Sequence, residues 1–284
     1  MPGTLQVKDV EPDVGPSEHR PWYRGKPLRR LQSLVGAVVY QHPHRNLVIT
    51  AMPKSGSTWL ARMAASIPGY HEWIPTYITE TDHTLRAESL RRPPLGYTVT
   101  KLHCKPTPEH LALLNGLQRP YVILFRDLRD AAVSGYFYLH GVYQHESAEP
   151  YRTLGVEEGI ARWLDEKLAQ RIEWIEGWMR GHDPKWGLVV RYEDLLRDTA
   201  GVFQSVCDHY EVNLSAAPMR RIVRRHAFER ATGRTPGTPD AASFNRKGIV
   251  GDWANHFTPA LKERFKAIAG EALVRFGYEK DNNW

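Results

Sequence analysis

An alternation of short strand-like segments with helical segments restricts this chain to few possible folds. The strand-like segments cover residues 46–51, 97–101, 121–125 and 188–192. Short runs of this kind, rich in β-branched and aromatic residues, are typical of strands buried on both faces. Because helical segments follow these strands along the chain, we predict a parallel sheet covered on both sides, a three-layer α/β/α architecture.

The predicted helices have apolar residues at helical spacing or begin with a helix-start signal. They cover residues 58–66, 108–114, 130–138, 160–179, 199–210, 217–225 and 259–276. The segment at 160–179 repeats its apolar residues with a 3.6-residue period, which indicates a long amphipathic helix. The proline- and glycine-rich stretch at residues 232–239 predicts a mobile loop.

The composition suits a globular enzyme or binding domain. Of 284 residues, 42% are hydrophobic, so a sizeable core is expected and global disorder is not. Residues 1–30 are rich in proline, glycine and charge and predict a flexible arm, which leaves a single domain at 31–284. No signal peptide or membrane span is predicted, and the two cysteines, Cys104 and Cys207, fit a reducing compartment. We therefore expect a cytoplasmic protein.

The chain is basic, with a formal net charge of +6 and an isoelectric point near 9.3. This surplus fits a polyanionic partner, which includes nucleic acid, an anionic membrane surface and a phosphorylated cofactor. Four arginines share one face of a predicted helix, namely Arg220, Arg221, Arg224 and Arg225. That face is either a polyanion-binding surface or a solvated helix face.

The segment between the first predicted strand and helix, residues 53–59, has the features of a phosphate-binding loop. In an open α/β sheet, ligands bind at the carboxyl ends of the strands, where this loop lies. Successive amides and a helix N-terminus can hold an anion there, and Gly56 lets the backbone approach it. Lys54 adds a charge, while Ser57 and Thr58 add hydroxyl donors. The alternative is a capped helix with a surface lysine.

This loop is not a Walker A motif, in which a lysine follows the second glycine. Here Lys54 precedes Gly56, the only glycine of the loop. No acidic strand end that would hold magnesium is evident. A nucleotide kinase of related architecture is therefore the weaker alternative.

Three segments together resemble the cytosolic-type sulfotransferase family. Residues 53–59, Pro-Lys-Ser-Gly-Ser-Thr-Trp, resemble its 5′-phosphosulfate loop. Residues 126–136 resemble its 3′-phosphate motif, in which a serine follows an arginine by eight residues, and residues 246–253 resemble its R-K-G-x-x-G-D-W motif. The segments occur in the family's order and extend over most of the chain. The resemblance implies a P-loop-like nucleotide-binding architecture and a sulfotransferase that uses 3′-phosphoadenosine-5′-phosphosulfate (PAPS) and releases 3′-phosphoadenosine-5′-phosphate (PAP).

The resemblance also implies which residues bind the nucleotide. They are Lys54, Ser55, Gly56, Ser57 and Thr58 at the 5′ end, Arg126 and Ser134 at the 3′-phosphate, Arg246, Lys247 and Gly248 in the closing loop, and Trp59, Phe228 and Tyr192 around the adenine. The family has a Thr-Ser pair before the phenylalanine, whereas this chain has His226 and Ala227. For Arg126 an ion pair with Asp127 or Asp130 is the alternative.

The catalytic residues are implied by a K-x-H segment of the family, which here is Lys101-Leu102-His103. His103 would be the general base, since imidazole titrates near neutral pH. Lys54 would stabilise the leaving group, Lys101 would contact the sulfuryl oxygens or the acceptor, and Ser134 would contact Lys54. Cys104 is the alternative as a nucleophile, although direct in-line transfer needs no covalent intermediate.

No metal is implied, and histidines such as His42 and His44 do not form a ligand set. The acceptor is expected to be a small molecule, glycan or lipid with a hydroxyl or amine, and no nucleic acid partner is expected. Tyr143, His145 and residues 70–73 are candidates for the acceptor pocket. The family's dimer segment is altered here, with Ala254 and Pro259 at its lysine and valine positions, so the oligomeric state stays open. A non-catalytic module that binds polyanions is the alternative from another class.

Overall fold

The computed structural model describes residues 35–36, 38–79, 82–91 and 96–284, so the expected arm at 1–30 lies outside the described residues. A sheet of five parallel strands forms the centre. The strands are β1 (Asn46–Ala51), β2 (Tyr70–Glu72), β3 (Tyr97–Leu102), β4 (Tyr121–Phe125) and β5 (Gly187–Arg191), in the order β2-β3-β1-β4-β5. Because β1 lies between β3 and β4, the chain changes direction across the sheet there. A ligand crevice is expected beyond the carboxyl end of β1.

The helices lie between the strands and after the last of them. They are α1 (Ser57–Ala64), α2 (Ala87–Arg91), α3 (Pro108–Gly116), α4 (Leu128–Gly141), α5 (Glu149–Arg152), α6 (Val156–Trp163), α7 (Ala169–Gly181), α8 (Tyr192–Arg197), α9 (Thr199–His209), α10 (Ala216–Arg225), α11 (Phe228–Thr232) and α12 (Pro259–Arg275). A π-helical segment, Leu164–Leu168, joins α6 to α7, and short 3₁₀ turns cover Glu146–Ala148 and Asp252–Asn255. None of the helices in the described residues is long and apolar enough to cross a bilayer.

Each face of the sheet packs against its own layer of helices. Along β4 the side chains alternate, so Ile123 packs with α4, α6, α7 and α12, while Val122 packs with α1, α9 and α10. Trp174 and Phe265 are large residues of the first layer, and Phe203 is one of the second. Since successive strand residues point to opposite faces, one apolar strand supplies both cores. The predicted three-layer α/β/α class is confirmed.

Two local features of the structure bear on the predictions. The three-residue strand β2 was not predicted, because Tyr70, His71 and Glu72 form no apolar run. In the predicted loop at residues 232–239, the Arg234 guanidinium donates to the carbonyl oxygens of Thr238 (2.9 Å), Arg246 (2.8 Å) and Asn245 (2.6 Å), and the mobility of this loop stays a prediction. These hydrogen bonds attach the start of the loop to the segment that leads into Arg246.

Candidate active site

The loop between β1 and α1 has the backbone of an anion site. Lys54 and Gly56 both adopt positive φ, at 68° and 82°. Helix α1 then begins without a side-chain cap, so the amides of its first turn are available as donors to an anion. The buried Ser55 hydroxyl, by contrast, donates to the carbonyl oxygens of Met52 (2.5 Å) and Leu124 (3.2 Å). Ser55 therefore holds the loop on the sheet with its side chain, and its backbone amide is the group left for a phosphate.

Gly56 is required by its surroundings as well as by its backbone angle. A Cβ atom at this position would lie 2.6 Å from Cδ2 of Tyr192, closer than real Cβ contacts. Tyr192 opens α8 and is buried, with the Arg126 guanidinium carbon 4.3 Å from its ring centre and the Trp59 ring at 6.3 Å. Tyr192 thus supports the loop and the guanidinium from below. Its proposed contact with adenine stays a prediction.

Lys54 lies among other cations at the carboxyl edge of the sheet. Burial and the charges of Arg126, Lys101 and Arg246 lower the pKa of Lys54 to about 7. Its Nζ sits 3.9 Å from the ring centre of Tyr138 and 4.3 Å from that of Phe244. Cations from four distant segments of the sequence therefore meet at one place, and two aromatic faces position the lysine.

Arg126 forms two hydrogen bonds in this structure, but one of its nitrogens has no partner among the described residues. One of its terminal nitrogens donates to Asp130 Oδ2 (3.0 Å) and to the Ile249 carbonyl (3.0 Å). Its Nε is buried and has no hydrogen-bond partner in the described part of the chain. Asp130 also accepts from the amides of Gly251 (2.9 Å) and Trp253 (3.0 Å). The alternative ion pair with Asp130 is thus present, and it joins the 3′-phosphate motif to the C-terminal motif.

The ion pair with Asp127, the other alternative for Arg126, is not formed. Asp127 instead caps α4 and pairs with Arg129 at 2.6 Å. Ser134, predicted at the same 3′-phosphate, lies half-buried on α4 two turns after Arg126. Its role stays a prediction.

Arg246 and Lys247 are held by Asp252 of their own motif. Both side chains donate to this buried carboxylate, the lysine at 2.5 Å. Burial alone would raise the pKa of Asp252, but hydrogen bonds from His256, Lys247 and Arg246 lower it far below its usual range. The carboxylate therefore stays charged and fixes the direction of both cations. A nucleotide would have to compete with Asp252 for them.

The segment expected at the adenine is built around Trp59 and Phe228. The Trp59 indole donates to the His226 carbonyl at 2.8 Å, and the His226 ring is hydrogen-bonded to Ser66 at 2.8 Å. Phe228 packs on Gly248, where a Cβ would lie 2.3 Å from its ring. His226 thus positions Trp59 through its backbone, although the residue pair at 226 and 227 departs from the family pattern.

His103 has a defined tautomer in this site. Its Nδ1 lies 2.7 Å from the Ala51 carbonyl, and since a carbonyl only accepts, Nδ1 carries the proton. The lone pair is therefore on Nε2, which leaves that nitrogen as the basic one. Burial and the charges of Lys101, His83 and Arg171 lower the pKa of His103 well below its ordinary value, against the Ala51 hydrogen bond. The ring is neutral at pH 7, as a general base requires.

Lys101 and Cys104, the neighbouring titratable residues of the same segment, differ in their chemistry. Burial lowers the pKa of Lys101, while the charge of Glu72 raises it and that of Arg62 lowers it. Burial raises the pKa of the Cys104 thiol to about 11, and its Sγ lies 3.2 Å from the Thr50 hydroxyl. A thiolate is thus disfavoured at neutral pH, which argues against the alternative of a cysteine nucleophile.

Part of the expected acceptor pocket lies elsewhere. Tyr143 stacks on Tyr138 at 5.2 Å and His145 on Tyr143 at 5.7 Å, so these aromatic rings continue from Lys54 outward. Tyr70, however, starts β2 and donates its hydroxyl to the His44 carbonyl at the amino edge of the sheet. Since Tyr70 pairs with Tyr97, the first residue of β3, it lies at the amino edge of the sheet and away from the cation cluster.

Two aromatic residues of the site, Tyr138 and Phe244, were not predicted. Tyr138 follows Ser134 by four residues on α4, so helical spacing alone could have placed it on the same face. Phe244 lies in an irregular segment and offered no such signal. The described residues contain no group of three or more histidine, cysteine or acidic side chains that could hold a metal.

Comparisons with known proteins show the family and the fold of this chain. A family model described as "Sulfotransferase domain" matches residues 44–277. The chain is 25% identical over 280 residues to Sulfotransferase 2A6 of Mus musculus, covering 90% of this chain and 95% of that protein. It is 26% identical over 254 residues to Sulfotransferase 2A1 of Homo sapiens, covering 81% and 84% of the two chains. A crystal structure of mouse sulfotransferase SULT7A1 complexed with PAP matches with a TM-score of 0.60 at 21% identity, covering 86% and 88% of the chains. This last likeness concerns the fold, a P-loop-like one.

Proposed function

This chain belongs to the sulfotransferase family, and from that premise we propose that it transfers the sulfuryl group of PAPS to a small-molecule acceptor with His103 as general base. The observation that carries the proposal is that the charges of Arg126 and Arg246 act on Lys54, while Lys101 acts on both Lys54 and the neutral His103. The acceptor group is a hydroxyl or an amine. No metal takes part in this account, because lysine, arginine and backbone amides supply the positive potential.

The two ends of the nucleotide are assigned to separate parts of the cation cluster. The uncapped start of α1 and Lys54 face the 5′-phosphosulfate, with the hydroxyls of Ser57 and Thr58 as further donors. The buried, unpartnered Nε of Arg126 is the donor offered to the 3′-phosphate, together with Ser134. The 3′-phosphate is also bound by the segment Arg246, Lys247 and Gly248, whose two cations then divide their hydrogen bonds between the phosphate and Asp252. Trp59 and Phe228 enclose the adenine.

The chemical step needs a base, a positive group at the leaving oxygen and a fixed line of attack. His103 Nε2 takes the proton of the acceptor hydroxyl as the new oxygen–sulfur bond forms. Lys54 stabilises the negative charge on the bridging oxygen as the bond between sulfur and that oxygen breaks and PAP leaves. Lys101 lies near both groups and stabilises the sulfuryl oxygens. The proton thus ends on His103, and the negative charge ends on PAP beside Lys54.

The function is tested by incubating the full chain with sulfur-35-labelled PAPS and a mixture of small hydroxyl compounds and amines. Label is expected in one or more acceptors, and PAP is expected to raise the melting temperature. ATP with magnesium is the matched probe for the kinase alternative. Stabilisation by ATP with magnesium but not by PAP, with no labelled acceptor, would contradict the proposal.

We expect the Arg126→Lys variant to lose discrimination for the 3′-phosphate. Lysine keeps a charge toward Asp130 but lacks the planar fork that binds a phosphate through two hydrogen bonds. A charged hydrogen bond contributes about 1.5–3 kcal/mol, so the Kd for PAP should rise roughly ten- to a hundred-fold. The Kd for adenosine 5′-phosphate, which lacks the 3′-phosphate, should change little. Calorimetric titration measures both, and equal losses would remove Arg126 from this role.

PAP binding should also take up a proton at Lys54. With a pKa of about 7 in the unliganded protein, Lys54 is largely neutral at pH 8 and largely charged at pH 6. A bound anion raises the pKa of a neighbouring lysine, so binding at pH 8 draws a proton and PAP affinity falls as pH rises from 6 to 8. Titration calorimetry in buffers of different ionisation enthalpy measures the uptake. The Lys54→Met variant should take up less, and identical uptake in both proteins would refute the assignment.

A further inference from the structure

An arginine with a buried, unpartnered Nε lies within electrostatic range of the proposed general base. Arg171 is on α7, its side chain is half-buried, and its Nε is fully buried with no hydrogen-bond partner in the described part of the chain. It also forms no ion pair with any described acidic residue. Buried N–H groups of arginine usually have a hydrogen-bond partner, because burying a polar group without one costs free energy. Arg171 therefore calls for a ligand.

The neighbouring charges on the same helical run are already paired. Asp165 pairs with Arg264 at 2.5 Å, Glu166 with Arg162 at 2.6 Å and Glu176 with Arg275 at 2.5 Å. These pairs lie on exposed or half-exposed sides of α7 and the π-helical segment before it. Arg171 points elsewhere and shares none of them. Its lack of a partner is thus particular to its position.

Arg171 lies on the face of α7 that packs against the segment after β3. Trp174, one turn further along α7, donates its indole N–H to the Cys104 carbonyl at 2.8 Å, and Trp178 donates to the same oxygen at 3.3 Å. Residues three apart lie on the same helix face, so Arg171 shares the face that packs on the segment after β3. Its charge contributes to lowering the pKa of His103, the residue before Cys104. Burial lowers the pKa of Arg171 itself to about 10, with no acidic group to oppose it.

We infer that Arg171 binds an anionic group of the acceptor, so that the acceptor is a hydroxyl compound that also carries a carboxylate or a similar planar anion. The inference rests on the proposed function and narrows its substrate class. A guanidinium offers Nε and a terminal nitrogen side by side, which matches the two oxygens of a carboxylate. The charge of Arg171 reaches His103, so an anion held by this guanidinium would lie near the base. The Arg171–carboxylate pair would then hold the acceptor with its hydroxyl toward His103.

The test uses matched acceptor pairs that differ only in the anion. Suitable pairs are 2-naphthol with 6-hydroxy-2-naphthoate and 4-ethylphenol with 3-(4-hydroxyphenyl)propanoate. Their affinities for the PAP-saturated full chain are measured by calorimetry in the wild type and in Arg171→Leu, Arg171→Lys and Arg180→Leu. Arg180 is the matched control, since it lies on the same helix, is 79% exposed and pairs with Glu176.

In the wild type at least one carboxylate should bind about ten-fold or more tightly than its neutral partner. The preference should vanish in Arg171→Leu, weaken in Arg171→Lys and persist in Arg180→Leu. No preference in any pair, including the absence of binding by both members, would overturn the inference, as would a preference that survives Arg171→Leu. The Kd for PAP, measured first, should be the same in all variants. If the wild type fails to bind PAP, the proposed function fails separately.

A stability measurement separates this role from a structural one. Arg171→Leu should leave the melting temperature of the unliganded protein unchanged or raise it, because it removes a buried and unpaired charge. A melting temperature lower by several degrees would show that Arg171 holds the fold, and would contradict a ligand role. The Arg171→Lys variant keeps the affinity test possible if the leucine variant does not fold.

Discussion

Replacing His103 by glutamine is expected to lower kcat about 10²- to 10⁴-fold, the usual contribution of a positioned general base. Glutamine can still donate to the Ala51 carbonyl from its amide, but it offers no basic nitrogen to the acceptor. The Kd for PAP should change little, since His103 is not among the groups assigned to the nucleotide. Steady-state kinetics and PAP titration measure the two quantities.

The matched control is His182→Gln. His182 also lies with Nδ1 at a backbone carbonyl, that of Trp178 at 2.8 Å, but it precedes β5 at the amino edge of the sheet. Its replacement should leave kcat near the wild-type value. A His103→Gln variant that turns over at the wild-type rate would remove His103 as the base.

The pH profile gives a second check on the base. Because the pKa of His103 lies well below 6.5 in the unliganded protein, this imidazole is neutral above that value. Its protonation therefore should not reduce kcat/KM between pH 8 and 6.5, and a loss from this group should begin only below that range. A decline with an apparent pKa above 6.5 that disappears in His103→Gln would contradict the burial-lowered pKa.

Replacing Lys54 by methionine is expected to lower kcat about 10²- to 10³-fold, as for the loss of one preorganised charge at a leaving oxygen. Methionine keeps much of the side chain's packing between Tyr138 and Phe244, so the fold should persist. Single-turnover kinetics on a saturated enzyme isolate the chemical step. Lys185→Met is the control, because Lys185 also lies over an aromatic ring, 4.6 Å from the centre of Trp186, at the other edge of the sheet. An unchanged single-turnover rate in Lys54→Met would refute the leaving-group role.

Most of the sheet was predictable because its strands are continuous apolar runs. The predicted strand at 46–51 agrees with β1, and that at 121–125 agrees with β4. Strand β2 escaped prediction since it is a three-residue polar edge strand whose pairing depends on β3. The long helix predicted at 160–179 is helical in the structure, but it contains a π-helical segment that the spacing of apolar residues does not indicate. Local sequence patterns thus predicted the fold class, whereas strand β2 and the π-helical segment depend on tertiary contacts.

The site was predictable as a set of motifs but not as a set of contacts. Lys54 follows β1 and Arg126 follows β4, so the parallel strands bring these two residues to one edge of the sheet. Arg246 lies in an irregular segment after α11, and no strand pattern predicts its place. Which groups hold them could not be read in advance. The hydrogen bonds from Ser55 to Leu124 and from Lys247 to Asp252, and the packing of Phe244 on Lys54, depend on side-chain directions that only the folded chain defines. Arg171 was not predicted as a site residue, because the sequence does not show that its Nε lacks a hydrogen-bond partner among the described residues.

A crystal structure of the protein with PAP would locate both ends of the nucleotide at once. We expect the 5′-phosphate on the amides between Lys54 and Thr58, and the 3′-phosphate within hydrogen-bond distance of Arg126 and Ser134. His103 Nε2 should lie on the acceptor side of the 5′-phosphate. A nucleotide bound away from the carboxyl edge of β1, or bound there with its two phosphates exchanged, would refute the proposed site.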